Sequence, residues 1–198
     1  VTVAMALAVA YLLGSIPTSY IVVHLFTGRD VRSIGNGNPG MMNVWDNVGL
    51  RPAILVGLGD IGKGMAAVGV AYWMGFGDPM AVTLGIMAVL GHDFSLFLRF
   101  QGGNGTAAAV GALFALVPEA SLPAAGLAVA IYAVVRNKRF AGIIGLLAIP
   151  ALAYAQAYPD VKVLGVILLL TVVALKIIRF EGFTPARTRP PREPDEFV

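Results

Sequence analysis

The sequence predicts an all-α polytopic membrane protein, with about seven transmembrane helices and short cytoplasmic loops rich in glycine. Three observations predict it. Of the 198 residues, 58% are apolar and only 13% charged, whereas a soluble domain carries about 25% charged residues. Apolar stretches recur at roughly 3–26, 53–77, 79–98, 105–118, 121–135, 140–158 and 161–178, and a helix needs about 17–25 such residues to cross a bilayer. Basic residues, finally, crowd into alternate connections.

The first stretch has no charged segment ahead of it and no small-residue cleavage site, so it reads as a retained span and not as a cleaved signal. In the second, Gly62 and Ala66 stand in the small-xxx-small spacing by which membrane helices approach closely. The fourth and fifth stretches are the shortest. Seven crossings place Arg29, Arg32 and Arg51 on the same side as Arg99, as Arg136, Lys138 and Arg139, and as Lys176, Arg179, Arg187, Arg189 and Arg192. The other side has Lys162 alone, with Lys63 inside a span. Cytoplasmic loops carry the excess of Lys and Arg, so the expected orientation is amino terminus outside and carboxyl terminus in the cytoplasm.

Residues 1–183 read as a single transmembrane domain. Residues 184–198, with Pro185, Pro190, Pro191, Pro194 and many charges, bury too little apolar surface to fold alone and read as a disordered cytoplasmic tail. No internal repeat stands out, which argues against a transporter built from duplicated halves. The absence of cysteine excludes disulfides and thiolate metal sites, and two histidines are too few for a histidine-rich one.

Chemistry has few places to sit. The longest polar loop contains Gly35, Asn36, Gly37, Asn38, Pro39, Gly40 and Asn43. Closely spaced glycines accept positive φ and can turn their N–H groups inward as an anion-binding nest; a bland turn is the competing reading. A second cluster, Gly102-Gly103-Asn104-Gly105, precedes a new apolar stretch, where a helix amino terminus favours anions. Inside the second span, Asp60 and Lys63 are helical neighbours able to neutralise each other, and ionisable groups at membrane depth suggest a functional site or an internal pair. His92 and Asp93 lie near the end of the third span.

These residues resemble those of a bacterial family, the acyl-phosphate-dependent glycerol-3-phosphate acyltransferases, which are small integral membrane enzymes. The likeness covers nearly the whole chain. It is carried by Tyr11-Leu-Leu-Gly14-Ser15-Ile16-Pro17, by Gly37-Asn38-Pro-Gly40-Met-Met-Asn43, by Asp60-Ile-Gly-Lys63-Gly64, and by Gly91-His92 followed by Phe100-Gln-Gly102-Gly103-Asn104-Gly105. The resemblance implies transfer of a fatty acyl group from acyl phosphate to the 1-hydroxyl of glycerol 3-phosphate in the cell membrane, giving lysophosphatidic acid without a cofactor or a protein nucleophile. It also implies His92 and Asn104 as catalytic candidates. Substrate or phosphate binding falls to Gly37, Asn38, Gly40, Asn43, Lys63, Gly102, Gly103 and Gly105, with no metal. Membrane lipid is an expected partner and nucleic acid is not.

The chain departs from the family pattern at several polar positions. The family usually has lysine where Asn104 stands, serine at Asn36, threonine and arginine at Met42 and Asp46, and serines at Gly142 and Gly145. A histidine and an asparagine that follow the last span in the family have no counterpart in Arg179-Phe-Glu181-Gly-Phe183. Two readings therefore stand: a divergent acyltransferase, or a paralogue on the same scaffold that uses another acceptor or binds a lipid or partner. A channel finds few polar residues to line its path.

Overall fold

The computed structural model describes residues 2–181, and among these it contains helices and no strands. The expectation for 184–198 lies outside the described residues. In chain order the helices are α1 (Val3–Ser15), α2 (Thr18–Thr27), α3 (Met41–Asn47), α4 (Leu50–Trp73), α5 (Asp78–Asp93), α6 (Thr106–Leu116), α7 (Pro118–Val135), α8 (Lys138–Ala155) and α9 (Asp160–Lys176), the last running into a π-type turn at Ile177–Glu181.

The first apolar stretch is not one helix but two. Pro17 has no N–H to continue the ladder, and a residue before proline is pushed out of the helical region. Ile16 accordingly takes φ −52° and ψ 119°, and α2 starts afresh at Thr18. The break leaves backbone carbonyls that need donors, and these face inward although the Ile16 side chain is exposed.

Contacts between connections sort the helix ends into two faces. On one face Lys138 forms an ion pair with Asp46 and lies 4.4 Å from the centre of the Trp45 ring, while Lys176 Nζ donates to the Asp93 carbonyl at 2.9 Å. On the other face Gln156 Nε2 donates to the Glu119 carbonyl at 3.1 Å, and Lys162 lies 3.4 Å from Asp78, which also accepts from the Tyr72 hydroxyl at 2.8 Å. The glycine-rich loops share the first face, as the alternation of basic residues predicts.

Six segments are long and apolar enough to span: Val3–Thr27, Leu50–Trp73, Asp78–Leu98, Pro118–Val135, Lys138–Ala155 and Asp160–Arg179. The seventh predicted crossing is the 11-residue α6, about 16 Å long against a hydrocarbon core of about 30 Å. Ala108, Ala109, Gly111, Ala112, Leu113 and Leu116 of α6 are buried, so protein and not lipid surrounds much of it.

The close helix approach predicted at Gly62 and Ala66 falls elsewhere. Gly62 faces open space, whereas a Cβ on Gly64 would strike the Ala108 carbonyl and one on Gly111 the Ile61 carbonyl. These two glycines bring the backbones of α4 and α6 into contact, the arrangement small residues permit in membranes. Large apolar side chains such as Trp73, Leu147 and Leu164 remain outward, the distribution expected where lipid is the solvent.

Candidate active site

The buried polar side chains are Ser15, Ser19, Asn43, Asp60, Lys63, His92, Asp93, Ser95 and Ser121. Six of them, Ser15, Ser19, Asp60, Lys63, His92 and Ser95, converge where the first span breaks. An open cleft of about 180 Å³, counted with the solvent space at its mouth, is lined by Ser15, Ile16, Pro17, Thr18, Ser19, Pro39, Asp60, Lys63, His92, Ser95, Leu98 and Gly103.

The break supplies one wall, and other elements satisfy its freed carbonyls. Ser95 Oγ donates to the Ser15 carbonyl at 2.5 Å, and Lys63 Nζ donates to the Ile16 carbonyl at 3.1 Å. Ser19 Oγ, in the first turn of α2, donates to the Pro39 carbonyl at 3.0 Å and ties the long loop to this wall. Ser15 Oγ is buried and has no hydrogen-bond partner among the described residues.

The floor is ionic. Lys63 Nζ lies 2.9 Å from Asp60 Oδ1, the neighbour contact their spacing predicts, and the same oxygen lies 3.5 Å from His92 Nδ1. Asp60 comes from α4 and His92 from the last turn of α5, so the contact also joins two helices. A buried charge is tolerated only when paired, and Lys63 neutralises the carboxylate in place.

Gly102 and Gly103 form the roof. A Cβ on Gly102 would strike the His92 carbonyl; one on Gly103 would strike His92 Nε2 and come within 3.0 Å of the Pro39 carbonyl. The Gly103 N–H donates to the His92 carbonyl at 3.2 Å. The second glycine cluster is thus required for close packing over His92, and the two glycine-rich loops meet at Pro39 and Gly103.

Of the residues singled out from sequence, Pro39, Asp60, Lys63, His92 and Gly103 line the cleft, whereas Gly37, Asn38, Gly40, Asn43, Gly102, Asn104 and Gly105 do not. In the first loop, where the sequence leaves a nest and a bland turn both open, the N–H groups are largely committed within the loop. Asn36 N–H donates to Asn43 Oδ1 at 3.1 Å, Asn38 N–H to Asn36 Oδ1 at 3.0 Å, Gly37 N–H to the Ile34 carbonyl and Gly40 N–H to the Asn38 carbonyl. Asn43 Nδ2 donates to the Ile34 carbonyl at 2.9 Å, and its Oδ1 also accepts from Asn47, so this side chain staples the loop. Asn104 Oδ1 accepts from the Thr106 hydroxyl at 3.1 Å at the start of α6, and Gly105 takes φ 70° to begin that helix.

From the sequence, Ser15 stands out only as part of a motif carrying the resemblance, and Ser19 and Ser95 are not marked at all. The available signal was Pro17 within an apolar run, because a broken membrane helix needs other groups to satisfy its backbone. Among the described residues no group of three or more His, Asp or Glu side chains is placed to hold a metal ion.

Comparison with known proteins decides the family. The sequence profile described as glycerol-3-phosphate acyltransferase matches residues 4–182. The chain belongs to the glycerol-3-phosphate acyltransferase family. It is 36% identical to glycerol-3-phosphate acyltransferase 1 of Dehalococcoides mccartyi over 88% of this chain and 86% of that protein. It is 37% identical to the Trichlorobacter lovleyi glycerol-3-phosphate acyltransferase over 86% of this chain and 87% of the relative. A second D. mccartyi protein, glycerol-3-phosphate acyltransferase 2, is 44% identical over 119 residues, which cover 60% of this chain and 57% of that relative. The crystal structure of PlsY, an integral membrane glycerol 3-phosphate acyltransferase in its glycerol 3-phosphate form, superposes with a TM-score of 0.81 at 28% identity, covering 89% of this chain and 88% of that one. The family member described here is therefore a multi-pass integral membrane protein of the acyltransferase class.

Proposed function

We propose that this family member transfers a fatty acyl group from acyl phosphate to glycerol 3-phosphate, giving lysophosphatidic acid and phosphate for phospholipid synthesis. The observation that carries the reading is the cleft itself: a polar pocket at the break of the first span, floored by Asp60, Lys63 and His92, roofed by Gly103 and enclosed in an apolar bundle. Such a site brings a water-soluble acceptor to a donor whose chain belongs in lipid. Catalysis there rests on positioning and on donors aimed at the developing oxyanion. Lys63 is the candidate charged donor, and the Ser15 hydroxyl is the candidate neutral one. The loop face lies in the cytoplasm of a bacterial inner membrane, with the amino terminus outside, because that face collects the basic residues.

The deciding experiment is a mass-spectrometric assay of purified protein in lipid with palmitoyl phosphate and glycerol 3-phosphate. Lysophosphatidic acid formed in proportion to enzyme supports the reading, and no product sinks it for this acceptor. Orientation is tested separately by single cysteines in the 136–139 connection, which should resist an impermeant thiol reagent in intact cells.

One observation favours a second acceptor class. Among the described residues lining the cleft, Lys63 is the cation, and it is already engaged by Asp60 and the Ile16 carbonyl. A phosphate dianion gains little from a neutralised pair, whereas a neutral polyol head needs only hydroxyl and imidazole partners. The same assay run with uncharged polyol acceptors separates the two.

A further inference from the structure

We propose that the turn from Leu96 to Phe100 is a membrane-surface foot: Leu96, Phe97 and Phe100 lie at the boundary between headgroups and acyl chains on the loop face, and Arg99 contacts the phosphates of anionic lipid. The inference rests on the membrane-spanning fold and is independent of the reaction catalysed. Phe97 and Phe100 are each 58% exposed and Leu96 is 48% exposed, whereas Ser95 and Leu98 among them are buried. Arg99 is exposed, and it has neither a hydrogen bond nor an ion pair among the described residues. The turn therefore presents three apolar side chains around one free guanidinium.

The backbone is shaped to make this projection. Arg99 takes φ 52° and ψ 43°, and Phe100 takes φ 63°. These are two successive left-handed residues, a region where a side chain is uncommon and a bulky one is an outlier. The pair reverses the chain, so that the Phe100 N–H donates back to the Ser95 carbonyl at 2.7 Å and the Gln101 N–H to the Leu98 carbonyl at 3.0 Å. Such a conformation persists only where its surroundings fix it. The protein fixes the inner side: Ser95 Oγ holds the Ser15 carbonyl, the Tyr11 hydroxyl holds the Phe94 carbonyl at 2.6 Å, and Leu98 borders the cleft. The outer side is apolar, and lipid completes it.

Position and charge select lipid as the occupant. The apolar span that begins at Asp78 runs without a break through Leu98, so the turn continues a lipid-facing surface and does not start a new one. Lys176 donates to the Asp93 carbonyl just before the turn, which sets the turn at the level where basic residues collect. At that depth Leu and Phe side chains bury into the boundary between headgroups and acyl chains. A guanidinium beside them, planar and weakly hydrated, pairs with phosphate. Gln101, Gly102 and Gly103 follow directly, so the roof over His92 hangs from a turn that protein holds on one side and the bilayer on the other.

The test uses full-length protein in lipid nanodiscs. Trp45 and Trp73, the only tryptophans, are replaced by Phe, and Phe100→Trp supplies the reporter. Brominated lipid should quench its fluorescence, with bromines high on the acyl chain quenching more than bromines near its end. Brominated phosphatidylglycerol should be preferred over brominated phosphatidylcholine at the reporter by about fivefold, equivalent to about 1 kcal/mol for one basic residue at an anionic surface. Arg99→Gln should abolish the preference, and Arg139→Gln, an exposed arginine elsewhere on this face, should keep it. Should Phe100→Trp fail to fold, Phe97→Trp reports on the same turn. Quenching by aqueous iodide in place of brominated lipid would make the turn a water-facing surface open to a soluble partner, and quenching by neither would mean that protein, such as a second copy, covers it. Either result overturns the proposal. Equal quenching by the two headgroups, a preference that survives Arg99→Gln, or one lost equally in Arg139→Gln overturns the phosphate contact.

Discussion

The two glycine clusters look alike in sequence and do different work. In the first, Gly35 and Gly37 take φ 58° and 74° so that the chain can fold on itself, and Asn43 binds the result from inside. In the second, Gly102 and Gly103 serve by having no side chain, which lets the loop lie on His92. One cluster is a self-contained knot that lends only Pro39 to the cleft; the other is part of the cleft. Glycine density thus marks two different demands, conformational freedom and close approach, and only neighbours distant in sequence tell them apart.

The largest expected effect tests the roof. Gly103→Ala places a methyl group against His92 Nε2 and the Pro39 carbonyl, so acyl transfer should fall by about 10²-fold or more, since displacements of about 1 Å at a site cost that much. Gly62→Ala, with open space around it, should leave both activity and thermal stability unchanged. An active Gly103→Ala would show that the roof can move, and it would dissolve the distinction between the clusters.

Next comes the knot. Asn43→Ala removes the partners of the Asn36 N–H and the Ile34 carbonyl in a buried setting, where an unsatisfied group costs about 1–3 kcal/mol. The melting temperature in detergent should drop clearly. Activity per folded molecule should change less than in Gly103→Ala; the reverse order would mean that the first loop contacts substrate.

Asp46 offers a third test. By the resemblance Asp46 stands where arginine is usual; in the structure it is paired with Lys138 and lies off the cleft. Asp46→Arg should therefore place two cations face to face and cost up to about 1 kcal/mol, the scale of exposed pairs. Adding Lys138→Asp should restore stability, and a double-mutant cycle reads the coupling. Equal stability of Asp46→Arg and the parent would remove the pair as a tie between the two loops.

The smallest effect concerns pH. Burial pushes the Asp30 carboxyl up, but hydrogen bonds and charge from Arg32 outweigh it and hold the carboxyl below the usual carboxylate range. A depressed carboxylate stabilises the fold above its ordinary value and loses that contribution as pH falls through the folded one. Stability should thus be level from about pH 7 to 5 and decline below about 4, with Asp30→Asn shallowing the decline; an unchanged profile in that variant would assign the decline to other carboxylates.

Much of the architecture was legible because it depends on local composition. Apolar runs and the one-sided basic residues located the helices and the shared face of the loops, and the three-residue spacing of Asp60 and Lys63 foretold their contact. What was not legible depends on partners far along the chain. Nothing near Asp46 announces Lys138, and nothing near Gly64 announces Ala108. The serines of the cleft were hidden for another reason: Ser15 becomes a wall residue only because Pro17 interrupts the helix there, and a run of apolar letters reads as continuous until that missing N–H is weighed. Likewise the fourth stretch counts as a crossing from sequence although it is one of the two shortest, and its helix α6 has only 11 residues.

That short α6 bears on how the protein is built. A segment of this length, with alanines at Ala107, Ala108, Ala109 and Ala112 where leucines would hold it in lipid, has weak affinity of its own for the hydrocarbon layer. Its lodging is the face of α4, where Gly64 lies against the Ala108 backbone and Gly111 against the Ile61 backbone. The expected assembly is therefore hierarchical, with α6 seated against the longer α4 and not inserting on its own. Lengthening Gly64 or Gly111 by a single methyl group would evict it, and with it the Gly102–Gly105 connection that α6 anchors over the cleft.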